Sequence, residues 1–145
     1  MAVVIGIDPG THTGVAVYRD GQLIRCEAMG AHDVFDLVRQ LAASETVMVV
    51  YEDARMIGGI GGARAGSKET AARAQGAGSV KRDSALWQEL LEKLGCSYHR
   101  ISPRAKGGKL TRDEFRVRAK WDAPTNQHGR DAAMIAWSYR NWRNS

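Results

Sequence analysis

Between Val3 and Ile7 the chain reads Val-Val-Ile-Gly-Ile, a short apolar run rich in β-branched residues, and it ends on Asp8. Such a run predicts a strand covered on both faces. The segment from Thr13 to Met29 carries two further strand-like runs around Asp20-Gly21. That dipeptide suits a two-residue hairpin turn, whose central residues both need positive φ. Val34, Leu37, Val38 and Leu41 then follow at helical spacing, with Asp33 near the start of the helix they predict. Thr46 to Asp53 returns to an apolar strand, and it too ends on acids, Glu52 and Asp53. If the strand continues, alternation turns Asp53 to the opposite face from Glu52.

The texture changes after residue 56. Residues 57–67 read as a flexible Gly-rich loop, leading into a helical stretch that Gly76 and Gly78 interrupt or bend. Leu86, Leu90, Leu91 and Leu94 form the stripe of a helix, with Gly95 placed to cap its C-terminus. A short strand follows and ends before Pro103. Thr111 can cap a helix reaching about Lys120. The last helix runs over 126–142, with Ala132, Ile135, Ala136, Tyr139 and Trp142 along one side. The element order predicts one α/β domain over residues 1–145: a mixed central sheet, a hairpin at the N-terminal edge and helices on both faces.

Charge sharpens the picture. The net charge of +5 is unevenly spread: residues 54–121 hold 15 Lys and Arg against 6 Asp and Glu, and the remainder is acidic. An acidic framework with a basic middle suits a polyanion held by one part and presented to carboxylates in the other. Arg64, Lys68, Arg73, Lys81 and Arg82 form a first basic stretch, and Arg104, Lys106 and Lys109 a second. The interspersed glycines let backbone approach phosphate. No apolar stretch approaches the roughly 20 residues of a bilayer span, and the N-terminus lacks a secretory pattern. The expected location is therefore the cytoplasm, with Cys26 and Cys96 reduced.

Two neighbouring parallel strands ending on Asp8 and Glu52 would bring these carboxylates together. His128 and Asp131, three residues apart, share a helix face and are expected in the first turn of the last helix. Oxygen and nitrogen donors from separate elements suit Mg²⁺, or Mn²⁺ in its place, as hard ions. Two such ions roughly 3.5–4 Å apart can activate a water and stabilise the leaving oxygen of a phosphodiester. Taken singly, each residue also has a structural reading. Asp8 can form a turn, Glu52 can pair with an arginine, His128 can be solvated, and Asp131 can complement the helix dipole.

Together, IGIDPGTHTGVAV with its hairpin, VVYED at a strand end, and HGRDAAMIAW resemble the RuvC family of Holliday-junction resolvases. YHRISPRAKGGKLT is similar to the strand and Lys-bearing loop that precede the last helices in that family. The small size and Gly-rich insert resemble phage or prophage members. The resemblance implies a ribonuclease H-like fold and a homodimer that nicks four-way or related branched DNA in recombination, repair or the resolution of branched phage DNA. It implies two divalent ions and neither nucleotide cofactor nor membrane. Asp8, Glu52, His128 and Asp131 match the family's catalytic metal ligands. General two-metal logic puts one ion at Asp8 and Asp131 with His128 near, and the other between Asp8 and Glu52.

Where members place an aromatic wedge after the strand-end glutamate, this chain has Arg55 and Met56. Junction opening would then use Arg55 stacking on a base or Met56 insertion. Trp87 and its helix are candidates for the dimer interface, and core packing also accounts for most of that stripe. Three other readings stand beside the resolvase. A ribonuclease H acting on RNA–DNA hybrids shares the metal logic. A non-catalytic branched-DNA-binding module would need only the basic middle. An actin-like ATPase would need a longer chain.

Overall fold

The computed structural model describes residues 2–56, 68–105 and 107–143, the stretch 68–77 by its backbone. A five-stranded mixed sheet forms its centre, in the order β3-β2-β1-β4-β5. The strands are β1 (Ala2–Asp8), β2 (Thr13–Arg19), β3 (Gln22–Met29), β4 (Thr46–Glu52) and β5 (Ser97–Ile101). The helices are α1 (Ala31–Ser44), α2 (Lys68–Leu94), α3 (Arg112–Ala119) and α4 (Gln127–Ile135). β1 is antiparallel to β2 and parallel to β4, and β4 is parallel to β5. The hairpin closes at Asp20 and Gly21, both at positive φ (53° and 78°), with Arg19 opposite Gln22. This is the primed two-residue turn that Asp-Gly favours.

Alternation along β1 and β4 divides the core in two. Val3, Ile5, Ile7, Val47, Val49 and Tyr51 face α1 and α2, where they meet Val34, Val38, Trp87 and Leu91. Val4, Met48 and Val50 face the other way, towards Phe115 of α3 and Ala132, Ala133, Ile135 and Ala136 of α4. Helices thus cover both faces, and burying each Val, Leu, Ile, Met or Phe among them contributes about 1.5–3 kcal/mol. Among the described residues no helix is long and apolar enough to cross a membrane.

Local signals account for most of the ends. Thr111 Oγ1 accepts from Glu114 N, and Glu114 Oε1 accepts from Thr111 N, a reciprocal capping box. Lys120 closes α3 in the left-handed region at φ 53°. Gly95, at φ 72°, gives its N–H to the Leu91 and Glu92 carbonyls at the end of α2.

Three expectations are corrected. α2 is a single helix from Lys68 to Leu94, carried through Gly76 and Gly78 without a break. Its buried side is set by Ser84, Trp87 and Leu91, while Leu86 is half exposed. The 3.6-residue period gives a stripe, and the indole, as the largest group nearby, sets its phase. Trp87 is therefore part of the core. The last helix stops at Ile135, and Trp137–Tyr139 form a 3-10 turn. Arg140 lies over the Trp137 ring, 3.8 Å from its centre, and gives Nη1–H to the Trp137 carbonyl. Cys26 and Cys96 are free thiols, and burial pushes the Cys26 thiol up to about 12. Residues 57–67, expected as a loop, lie outside the described residues.

Candidate active site at the strand ends

β1 and β4 run in parallel with Ile7 opposite Tyr51, so the next positions along the two strands are Asp8 and Glu52. By alternation from Val4 and Val50, both acids belong to the α4 face of the sheet. Both are partly buried.

Glycine decides how closely α4 approaches. A Cβ on Gly14 would meet the His128 carbonyl oxygen at 2.0 Å and Asp8 Cβ at 3.2 Å; one on Gly6 would meet the Ala132 carbonyl at 2.1 Å. Gly129, on the helix itself, leaves room for Cys26 and Glu27 of β3. Tyr18 Oη donates to the Ala133 carbonyl at 2.7 Å and pins the middle of the helix to β2. α4 therefore runs along β1 with His128 level with Asp8 and Ala132 level with Gly6. His128 Nδ1 stands 3.8 Å from Asp8 Oδ2, and the imidazole is half exposed.

Asp131 is buried, with Gln127 Nε2 donating to its Oδ1 at 2.8 Å. Gln127 and Asp131 are four residues apart and so share a helix side. Arg130 Nη2 donates to Gln127 Oε1 at 3.2 Å, which leaves the amide nitrogen for Asp131. The remaining Arg130 bonds, to the Leu110 carbonyl and Thr125 Oγ1, tie α4 to the segments before it. Gly129 and Asp131 are separated by about 200° around the helix at 3.6 residues per turn. Since Gly129 lies against β3, Asp131 is turned to the β1–β4 side, where Glu52 ends its strand. His128 is the second residue of α4 and Asp131 the fifth, so the acid lies just beyond the first turn in which it was expected.

Asp53 occupies the opposite face. It is fully buried, receives Arg55 Nε at 2.9 Å and Nη2 at 2.7 Å, and has Arg100 Nη1 at 3.3 Å. Burial by itself raises a carboxyl pKa. Here the Arg55 hydrogen bonds from side chain and backbone, its charge, and the bond from Arg100 outweigh it, and Asp53 is held below the ordinary value. Ser84 of α2 accepts from Ala54 N at 3.2 Å and gives its hydroxyl to the Val80 carbonyl at 3.0 Å, fixing the turn that follows β4.

These placements alter the expected DNA contacts. Arg55 forks onto Asp53 and also donates to Gln88 Oε1, so its guanidinium is engaged within the chain as a clamp on a buried acid, while the residue stays exposed. Its neighbour Met56 is half exposed. Arg82, Arg104 and Lys109 are exposed and Lys81 is partly so. Arg64 and Lys106 lie outside the described residues. Lys68 and Arg73 are placed on α2 by backbone only.

Among the described residues, no three of His, Cys, Asp and Glu stand together as a ready-made cage for a metal ion. By donor type and by shared face, Asp8, Glu52, Asp131 and His128 fit a divalent cation. Asp131 is a buried carboxylate met by a neutral amide, the kind of anion that a cation would stabilise. The fit is that of an open set of donors.

The sequence reading missed Gln127, Arg130, Gly14 and His12. The i,i+4 spacing signalled the Gln127–Asp131 bond. Gly14, opposite Asp8 across the hairpin ladder, signalled close approach. His12 stands in the β1–β2 loop with its ring centre 6.1 Å from that of His128. Comparison with protein-family models and with curated proteins finds no match for this chain.

Proposed function

We propose that the chain is a divalent-metal-dependent endodeoxyribonuclease of the RuvC kind, with a ribonuclease H-like fold, that nicks four-way or related branched DNA as a homodimer. One observation carries the reading. Asp8 and Glu52 end adjacent parallel strands on the face covered by α4, and that helix sets His128 3.8 Å from Asp8 and turns Asp131 to the same side. The three motifs in chain order support it, as does the basic middle segment.

Asp8, Glu52 and Asp131 would hold divalent ions, with His128 beside Asp8; such ions activate water and stabilise the leaving oxygen of a phosphodiester. Gln127 acts as a positioning residue that keeps the Asp131 carboxylate in one orientation. His128, half exposed next to Asp8, offers an imidazole nitrogen to the same ion as Asp8. Arg82, Arg104 and Lys109 supply phosphate contacts that hold the DNA without reading its sequence.

The test is cleavage of an end-labelled immobile four-way junction with Mg²⁺ or Mn²⁺, beside linear duplex, a Y-fork and an RNA–DNA hybrid. Paired symmetrical nicks, abolished by EDTA, are expected on the junction. Preferential cutting of the hybrid would replace the resolvase with a ribonuclease H. Metal-independent binding with no cutting of any substrate would make the chain a junction-binding module.

A further inference from the structure

We propose that His12 is a further metal ligand of this site, and that with His128 and Asp8 it gives the site a preference for first-row transition ions such as Mn²⁺ over Mg²⁺. The inference rests on the site read above as metal-binding and adds to it His12, which lies within the first motif and was given no role there.

His12 is exposed and its ring lies 6.1 Å from that of His128, centre to centre, with the planes tilted by 38°. With metal–nitrogen bonds of roughly 2.0–2.1 Å, two imidazoles on one ion hold their ring centres about 5–6 Å apart. The observed 6.1 Å is close to that range, and both exposed side chains can rotate to bring their nitrogens onto one ion. The loop that carries His12 is held in place. Thr13, fully buried, gives its hydroxyl to the Gly10 carbonyl at 2.8 Å, closing residues 10–13 into a turn. Gly14 then fixes the distance from this loop to α4, because its missing side chain is what lets His128 in. The backbone beneath both histidines is thus held by buried contacts, and their side chains are exposed.

Chemistry gives the preference. Mg²⁺ favours oxygen ligands and parts with water reluctantly, whereas imidazole nitrogen suits first-row transition ions. Carboxylates alone would leave the two ions nearly equivalent by ligand type. A second imidazole moves the balance towards Mn²⁺.

The experiment is isothermal titration of the whole chain with Mn²⁺ and, separately, Mg²⁺, without DNA, for the wild type and His12→Ala. His12 is an exposed loop side chain, so the variant is expected to fold as the wild type does, and circular dichroism checks this. The expected result is a loss of about tenfold in Mn²⁺ affinity with Mg²⁺ changed less than about twofold. Substoichiometric Mn²⁺ should also broaden the ring-proton NMR signals of both His12 and His128. Unchanged Mn²⁺ affinity, a parallel loss for both ions, or no binding of either ion by the wild type overturns the inference. If His12→Ala leaves metal affinity unchanged while the wild type still cuts junctions, this inference fails alone. If the wild type shows the His12-dependent preference but cuts no DNA, the nuclease reading fails and the metal site stands.

Discussion

Glu52 and Asp53 are neighbours in the chain and belong to opposite faces of the sheet, and the protein surrounds the two faces differently. On the α2 side, Asp53 is sealed and met by two arginines. On the α4 side, Asp131 is met by an amide and Asp8 has an imidazole 3.8 Å away. The first arrangement completes a charge pair inside the protein, and its product is a fixed end for β4. The second gathers anionic and neutral donors from two strands and a helix, an environment suited to an external cation. On the reading proposed above, two adjacent carboxylates take different roles because a one-residue step along a strand reverses the face.

Substitutions can break this comparison from either side. The largest effect is expected on the α4 face. Glu52→Gln and Asp131→Asn should each lower junction cleavage by about a thousandfold or more, since each removes an anionic donor while keeping shape. Single-turnover assays at matched folded fraction check this, and a loss under about tenfold for both would move the chemistry elsewhere.

On the α2 face the effect should fall on stability. Asp53→Ala leaves Arg55 and Arg100 beside a buried space and should cost about 3 kcal/mol in urea unfolding. Asp53 also fixes a pH response. Its folded-state pKa is lowered, so its contribution is full above the unfolded value of about 3.9 and is lost as pH falls through the folded value. Asp53→Asn should remove that part of the acid dependence, seen as a flatter stability profile below about pH 4.

A smaller effect tests the seam. Gly14→Ala places a Cβ 2.0 Å from the His128 carbonyl oxygen, so α4 must shift away from Asp8. The expected cost is about 1–3 kcal/mol of stability, together with weaker metal binding. The smallest concerns the basic surface. Arg82→Ala or Arg104→Ala should lower DNA affinity uniformly across sequences and reduce the log–log salt slope by about 0.9 for each phosphate left without its cation.

Most of the fold was legible because its signals are local. Asp20-Gly21, the Thr111–Glu114 box and Gly95 specify their turns and caps from within a few residues. The continuous apolar runs of β1 and β4 mark central strands, and alternation alone separated Glu52 from Asp53. What escaped depends on side chains meeting across the chain. The partners of Asp53 include Arg100, 47 residues away on β5, so nothing in the sequence signalled that Arg55 and Arg100 close together on this acid. Periodicity in α2 gave the spacing of its stripe without telling that Trp87 turns in and Leu86 out. The Arg130–Gln127–Asp131 chain needs rotamers as well as spacing. His12 carries no signal of its own in the sequence, and it is the hairpin and α4 that set it beside His128.

On the reading proposed for this chain, the α4 face carries chemistry and the α2 face carries structure. Junction cleavage by Asp8→Asn and Asp53→Asn separates the two roles. Both variants would be measured side by side with wild type, under single-turnover conditions and at a temperature where all three are folded. Asp8→Asn is expected to bind the junction without cutting it, while Asp53→Asn cuts within about tenfold of wild type. Cutting by Asp8→Asn at the wild-type rate would contradict the division.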